Sequence, residues 1–139
     1  MRGKWLTFLV VLVAGCASTV EGLTPSARVY AAQKEFNELY FPPIQRYSAQ
    51  QYCDATATPP VLVECADAQT VVTLNAVVQE TGLALAIAQT AVRTMEETCK
   101  LPDEVSCNDA TATVSLSASA LRAALARLST EFIAAGLDK

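Results

Sequence analysis

The chain has no histidine. That removes the one side chain whose ordinary titration falls near neutral pH, and with it the commonest general base and the commonest metal ligand. Glycine is sparse, at five of 139 residues, and alanine is abundant, a balance that favours helix. Positive charge is scarce and scattered, and no run of like charge exceeds two residues. Nothing builds a basic groove, so nucleic acid is excluded as an expected partner. No serine stands in G-x-S-x-G or S-x-x-K, and no cysteine pair has the C-x2-C spacing of zinc or redox sites. Glu96 and Glu97 are adjacent and point about 100° apart on a helix, so they form no catalytic dyad. Asp67 and Glu80 read as solvated helix positions. The expectation is a protein that is not an enzyme, with no metal and no cofactor.

The most specific stretch is the first sixteen residues, MRGKWLTFLVVLVAGC. Arg2 and Lys4 give a basic start. Trp5 to Val13 form an apolar run broken only by Thr7. Ala14 and Gly15 are small, and Cys16 follows. The run is too short for a stable membrane span and has the layout of a cleaved secretory signal. Val13-Ala14-Gly15-Cys16 resembles the lipobox of bacterial lipoproteins. The resemblance implies residues 1–15 as a signal peptide and Cys16 as the new N-terminus, carrying a diacylglycerol on its thiol and an acyl chain on its amine. Two or three acyl chains anchor stably where one binds only reversibly. The residue after the cysteine is Ala17 rather than the Asp that retains such proteins in the inner membrane of enteric-type bacteria. The resemblance therefore implies the outer membrane, facing the periplasm. Loss of Arg2 and Lys4 leaves eight basic residues, from ten, against fourteen acidic ones, a net charge of −6. An anionic lipid surface would not attract such a domain, so the lipid on Cys16 is its expected membrane contact.

Residues 16–23 read as a short polar tether, and residues 24–139 as one helical domain. Thr24 suits an N-cap and Pro25 the first helical position. Val29, Ala32, Phe36 and Leu39 then fall on one face. Pro42-Pro43 predicts an end at or before Phe41, giving a first helix over Pro25–Tyr40. Ile44 to Tyr52 reads as a short helix folded back over what the first helix leaves open, and Asp54 to Pro60 as a turn-rich loop. The second helix starts at Thr58-Pro59 or at Asp67. Its seam runs Val71, Leu74, Val78, Thr81, Leu85, Ala88, Val92, Met95, Cys99, with spacings alternating three and four. Thr81-Gly82 interrupts this seam and reads as a close helix crossing. Pro102 breaks the helix. Ser106 or Asn108 then caps a third, with the seam Val114, Ala118, Leu121, Leu125, Leu128, Phe132, Ala135 and a stop at Gly136. The expected fold is all-α, an antiparallel three-helix bundle with a short first helix and two long ones.

Four cysteines follow Cys16, an even number in an exported chain, and they read as two disulfides. Cys99 closes the second helix and Cys107 opens the third, so one turn brings them together. Cys53 and Cys65 flank the Pro-rich loop at the opposite pole. The pairing expected is Cys53–Cys65 and Cys99–Cys107, because the cross-pairings would need residues at opposite ends of a long helix to approach within about 7 Å.

Two functional readings follow. One is a binding or structural lipoprotein that displays a rigid bundle to an unknown envelope protein. A narrower form of it is a phage- or prophage-encoded lipoprotein that blocks a receptor or takes part in lysis. The aromatic cluster Tyr30, Phe36, Tyr40 and Phe41 reads first as a plug for the thin end of the bundle, and in the binding reading Tyr30 and Tyr40, off the Val29–Leu39 stripe, are its better candidates for a partner surface, since aromatics are enriched at binding hot spots. The other is a small-ligand carrier or accessory subunit of an envelope enzyme, with a pocket between the helices lined by Phe36, Val78 and Leu85.

Overall fold

A computed structural model describes residues 22–53 and 65–138. The signal-like segment, Cys16, most of the tether, the Asp54–Pro60 stretch and the Thr58-Pro59 cap lie outside the described residues. Those described are almost wholly helical. They contain no strand, only one isolated parallel bridge between Tyr52 and Ala66.

α1 spans Pro25–Glu35. Thr24 caps it, its hydroxyl accepting from the Ala27 N–H at 3.3 Å, and Pro25 fills the first position, where no N–H is needed. Helix does not stop at the double proline. A π-helical turn, Phe36–Tyr40, carries the chain directly into α2, Phe41–Ser48. The Phe41 N–H reaches back to the Phe36 carbonyl, five residues away. A proline inside an α-helix fails because it lacks an N–H and its ring crowds the carbonyl four residues earlier. The wider turn draws those carbonyls toward the fifth residue and sets Pro42 and Pro43 in the first turn of a new helix, where both defects are tolerated. The expected end at Phe41 is therefore corrected to Ser48.

The wide turn also adds a residue to the register. The buried stripe runs Val29, Ala32, Phe36, Tyr40, Ile44. Leu39, expected inside, is 54% exposed, and Tyr40 is 7% exposed.

α3, Ala68–Thr98, and α4, Glu104–Ala134, have 31 residues each and are about 46 Å long. Asp67 caps α3, its carboxylate accepting from the Thr70 N–H at 2.7 Å. α4 starts earlier than expected. Asp103, not Ser106 or Asn108, is its cap and accepts from the Val105 N–H, while the Ser106 hydroxyl donates to the same carboxylate. Pro102 then stands just outside the helix, and Cys107 lies within its first turn. At the far end Gly136 has φ 69°. The Gly136 and Leu137 N–H groups reach back to the Ile133 and Phe132 carbonyls. This is the left-handed glycine stop that the position suggested.

The core is one cluster fed by all the helices, with the α3–α4 contact the most extensive. The seam of α4 is as expected, with Ala124 added. In α3, Val77 is buried and Val78 packs half-buried against the cluster. Thr81 is fully buried, its hydroxyl donating to the Val77 carbonyl at 2.7 Å and lying 3.4 Å from the Ala124 carbonyl of α4. The helices thus approach at Thr81 and Ala124. Gly82 has open space where a Cβ would stand, so it plays no part in the crossing.

The arm of α1, the π turn and α2 lies along α4 with Glu35 beside Arg122 and Tyr40 beside Phe132, and ends with the Tyr47 hydroxyl accepting from the Asp67 N–H at 3.0 Å. The segment after Ile44 thus continues the arm and does not fold back. Both disulfides join the expected cysteines, Cys53–Cys65 and Cys99–Cys107, with Cα separations of 5.0 and 4.7 Å.

Candidate binding surfaces

The two tyrosines expected to form one surface are separated. Tyr30 is 53% exposed on α1. Tyr40 is turned inward by the π turn, its ring meeting Phe132 edge-on with centroids 5.2 Å apart. Its hydroxyl donates to Glu35 Oε1 at 3.3 Å, and the other Glu35 oxygen pairs with Arg122 at 3.3 Å. Tyr40 is therefore a packing residue and is withdrawn from the partner surface. Tyr30 remains accessible.

Phe36 and Leu85, expected to line a pocket, are buried in the core, and Val78 packs against it. The open space in this region is a surface groove of about 340 Å³ between α1 and α4, bordered by Arg28, Ala32, Glu35, Ala118 and Arg122. Arg28 also donates from Nε to the Leu23 carbonyl at 3.1 Å, fixing the residue before the Thr24 cap against α1.

The many hydroxyls of α4 are turned onto their own helix. Thr111, Thr113, Ser117, Ser119 and Thr130 each donate to the carbonyl four residues earlier. Some of the carboxylates are engaged as well. Glu80 pairs with Arg127 across α3 and α4. Asp67 is held below the ordinary carboxylate range by the Thr70 backbone N–H and then by the Thr70 hydroxyl. Asp103 is held low by the Ser106 hydroxyl first and the helix N–H groups after it. Both are caps in charge-stabilising positions, not poised acids. Among the described residues no three His, Cys, Asp or Glu side chains gather as a metal would need.

The sequence reading missed the outer face of α3 and α4. Leu83 and Ile87 on α3 and Leu116 on α4 are 67%, 63% and 74% exposed. Ile87 stands at a groove of about 290 Å³ whose other walls include Ala91, Thr94, Ala110, Thr113 and Ser117. Leu83 precedes Ile87 by four residues and shares that side of α3 with the groove, whereas Leu116 stands three residues from Thr113 at this groove and three from Ser119 at the groove between α1 and α4. The signal was present in the charges: α3 carries none between Glu80 and Arg93, and α4 none between Asp109 and Arg122. One 18-residue window of α3 reaches a mean hydropathy of 1.5, apolar enough to cross a membrane by length and composition alone, and only 33% of that window is buried. Cys16 lies outside the described residues. Compared with protein-family models, curated proteins and solved structures, the chain matches none.

Proposed function

We propose that the chain is a lipid-anchored protein of the bacterial envelope whose helical domain acts as a binding or structural module. The observation that carries this reading is the run from the basic start through Val13-Ala14-Gly15 to Cys16. Residues 1–15 are removed, Cys16 takes the acyl chains, residues 16–23 form the tether, and residues 24–139 are displayed at the outer membrane toward the periplasm. Pairing of all four remaining cysteines supports an oxidising compartment. Three contacts support an antiparallel bundle. Glu80 with Arg127, Thr81 with Ala124 and Cys99 with Cys107 pair rising numbers on α3 with falling ones on α4. The arm, running from Glu35 beside Arg122 to Tyr40 beside Phe132, is the third helix of that bundle.

A clamped bundle with a filled core favours contact with a protein over enclosure of a ligand, and Tyr30 is an accessible aromatic on the arm. The test is metabolic labelling with palmitate in a bacterium producing the full chain. The wild type takes up label and sediments with the outer membrane. Cys16→Ser loses the label and leaves the membrane fraction. An unlabelled wild type, or a Cys16→Ser variant that keeps its label, removes the reading. A photo-crosslinker at Tyr30 in the same cells then reports the envelope partner.

A further inference from the structure

We infer that the Cys99–Cys107 end of the bundle faces the membrane, with Leu101 and Val105 set against its lipid surface. The inference rests on the lipid-anchored and antiparallel readings above, and it begins from where the arm starts. The arm runs in one helical path from the Thr24 cap to Ser48, about 36 Å at the helical rise. It ends where the Tyr47 hydroxyl accepts from the Asp67 N–H, at the start of α3 and near the Cys53–Cys65 bridge. The long pair is about 46 Å, so Thr24 lies roughly 10 Å short of the opposite end, which the Cys99–Cys107 bridge closes. Counting back from the Glu35–Arg122 pair along both helices gives about 12 Å.

The length of chain ahead of Thr24 then chooses between the two ends. Thr24 is eight residues beyond Cys16, and that length of chain spans at most about 28 Å. Acyl chains on Cys16 hold that residue at the lipid surface. With the Cys53–Cys65 end toward the membrane, Thr24 would stand about 36 Å above it, beyond the reach of the chain. With the Cys99–Cys107 end toward it, Thr24 stands about 10 Å above, well within reach. Of the two ends, only this one can touch the bilayer that holds the anchor.

The chemistry of that end suits a lipid surface. Leu101 and Val105 are 64% and 70% exposed. They lie either side of Pro102 where α3 gives way to α4, and the Cys99–Cys107 bridge holds this turn closed. Two large aliphatic side chains at the tip of a rigid turn fit the boundary between headgroups and acyl chains. Lys100 beside them can lay its apolar stem along that boundary with its ammonium at the phosphates. Glu96, Glu97, Asp103 and Glu104 make the end net acidic, so the surface it fits is zwitterionic rather than anionic. The anchor and the two side chains are linked contacts: the tether keeps the turn concentrated at the surface, where a small apolar contact is enough to set the orientation.

The test uses the acylated chain purified from bacterial membranes and reconstituted in phosphatidylethanolamine–phosphatidylcholine vesicles, with and without brominated acyl chains. Trp5 is the only tryptophan and belongs to the segment removed, so a substituted tryptophan reports alone. Bromine should quench Leu101→Trp at least about twofold more than Tyr52→Trp, exposed near the far end, or Ile87→Trp, exposed on the flank. Val105→Trp should be quenched as Leu101→Trp is, and adding Leu101→Glu to the Val105→Trp chain should abolish that quenching. Strongest quenching at Tyr52→Trp or Ile87→Trp, equal quenching at every position, or none in a chain that floats with the vesicles overturns the orientation and leaves the anchor standing. Indifference of Val105→Trp to Leu101→Glu overturns the lipid contact in the same way. A chain that does not float, or a Cys16→Ser chain that floats as well as the wild type, sinks the anchored reading and the orientation with it.

Discussion

The arm and the α3–α4 pair bury their apolar residues by different means. In α3 and α4 an unbroken α-helix of 31 residues repeats the same face, and a single aspartate fixes each start. In the arm two short helices are joined by a turn of different pitch, and the buried face survives only because that pitch adds one residue. The pair keeps its register through repetition, so its seam can be counted from any point. The arm keeps it through one local event, so an error at Phe36–Tyr40 displaces everything after it. The same event reconciles Pro42-Pro43 with a continuous helical path.

The largest expected effect lies in the pair. Leu128→Ala, at a fully buried position in α4, should lower unfolding free energy by about 3–5 kcal/mol in urea titration. A loss below about 1 kcal/mol would mean that the seam is not the cold centre of the fold. The arm supplies a sharper test. Tyr40→Ala should cost about 3 kcal/mol, while Leu39→Ala should stay within about 0.5 kcal/mol. The reverse order would restore the uninterrupted α register and remove the π turn from the argument.

Replacing Cys99 and Cys107 together with serine should cost about 2–3 kcal/mol, as expected for closing so short a loop. The same replacement of Cys53 and Cys65 should be similar in size but different in place. Amide exchange should quicken first in α2, because the bridge and the Tyr47–Asp67 hydrogen bond hold that end of the arm.

Acid gives the smallest effect. The folded Asp67 and Asp103 sit below the ordinary carboxylate range, so the unfolded chain binds protons more readily. Their stabilisation is present above about pH 4 and is lost as pH falls through the lowered values. Asp67→Asn with Asp103→Asn keeps both caps and should flatten the acid limb of a Tm-against-pH curve while leaving the neutral limb nearly unchanged. The arm is capped by the Thr24 hydroxyl, which does not titrate, so its own start should be indifferent to this change. An acid limb as steep in the double variant as in the wild type would remove the caps as its source.

Much of the pair was legible in the sequence because helical spacing is a property of the backbone alone. The buried set Leu74, Thr81, Leu85, Ala88 and Val92 follows from three-and-four spacing, and so does the α4 seam from Val114 to Phe132. The disulfide pairing followed from helix length, since a long rod cannot bring its two ends together. The cap of α4 was misplaced because Asp103, Ser106 and Asn108 are all good caps by type, and only backbone geometry chooses among them. Tyr40 was misplaced for another reason. Residue types at 36–44 do not encode whether a turn closes on the fourth or fifth residue. The outer face was overlooked because Leu83, Ile87 and Leu116 lie off the seams, and sequence spacing does not say whether a second surface is covered.

The sequence by itself determined the helical class, the two long rods and their seams, and the cysteine pairs. All of these depend on residues near one another along the chain or on the fixed rise of a helix. Tertiary structure alone decided that Tyr40 turns inward and Leu39 outward, that Thr81 rather than Gly82 meets α4, and that one face of the α3–α4 pair stays exposed among the described residues. Those outcomes depend on where the arm comes to rest against residues some ninety positions away, and no local preference along the chain carries that information.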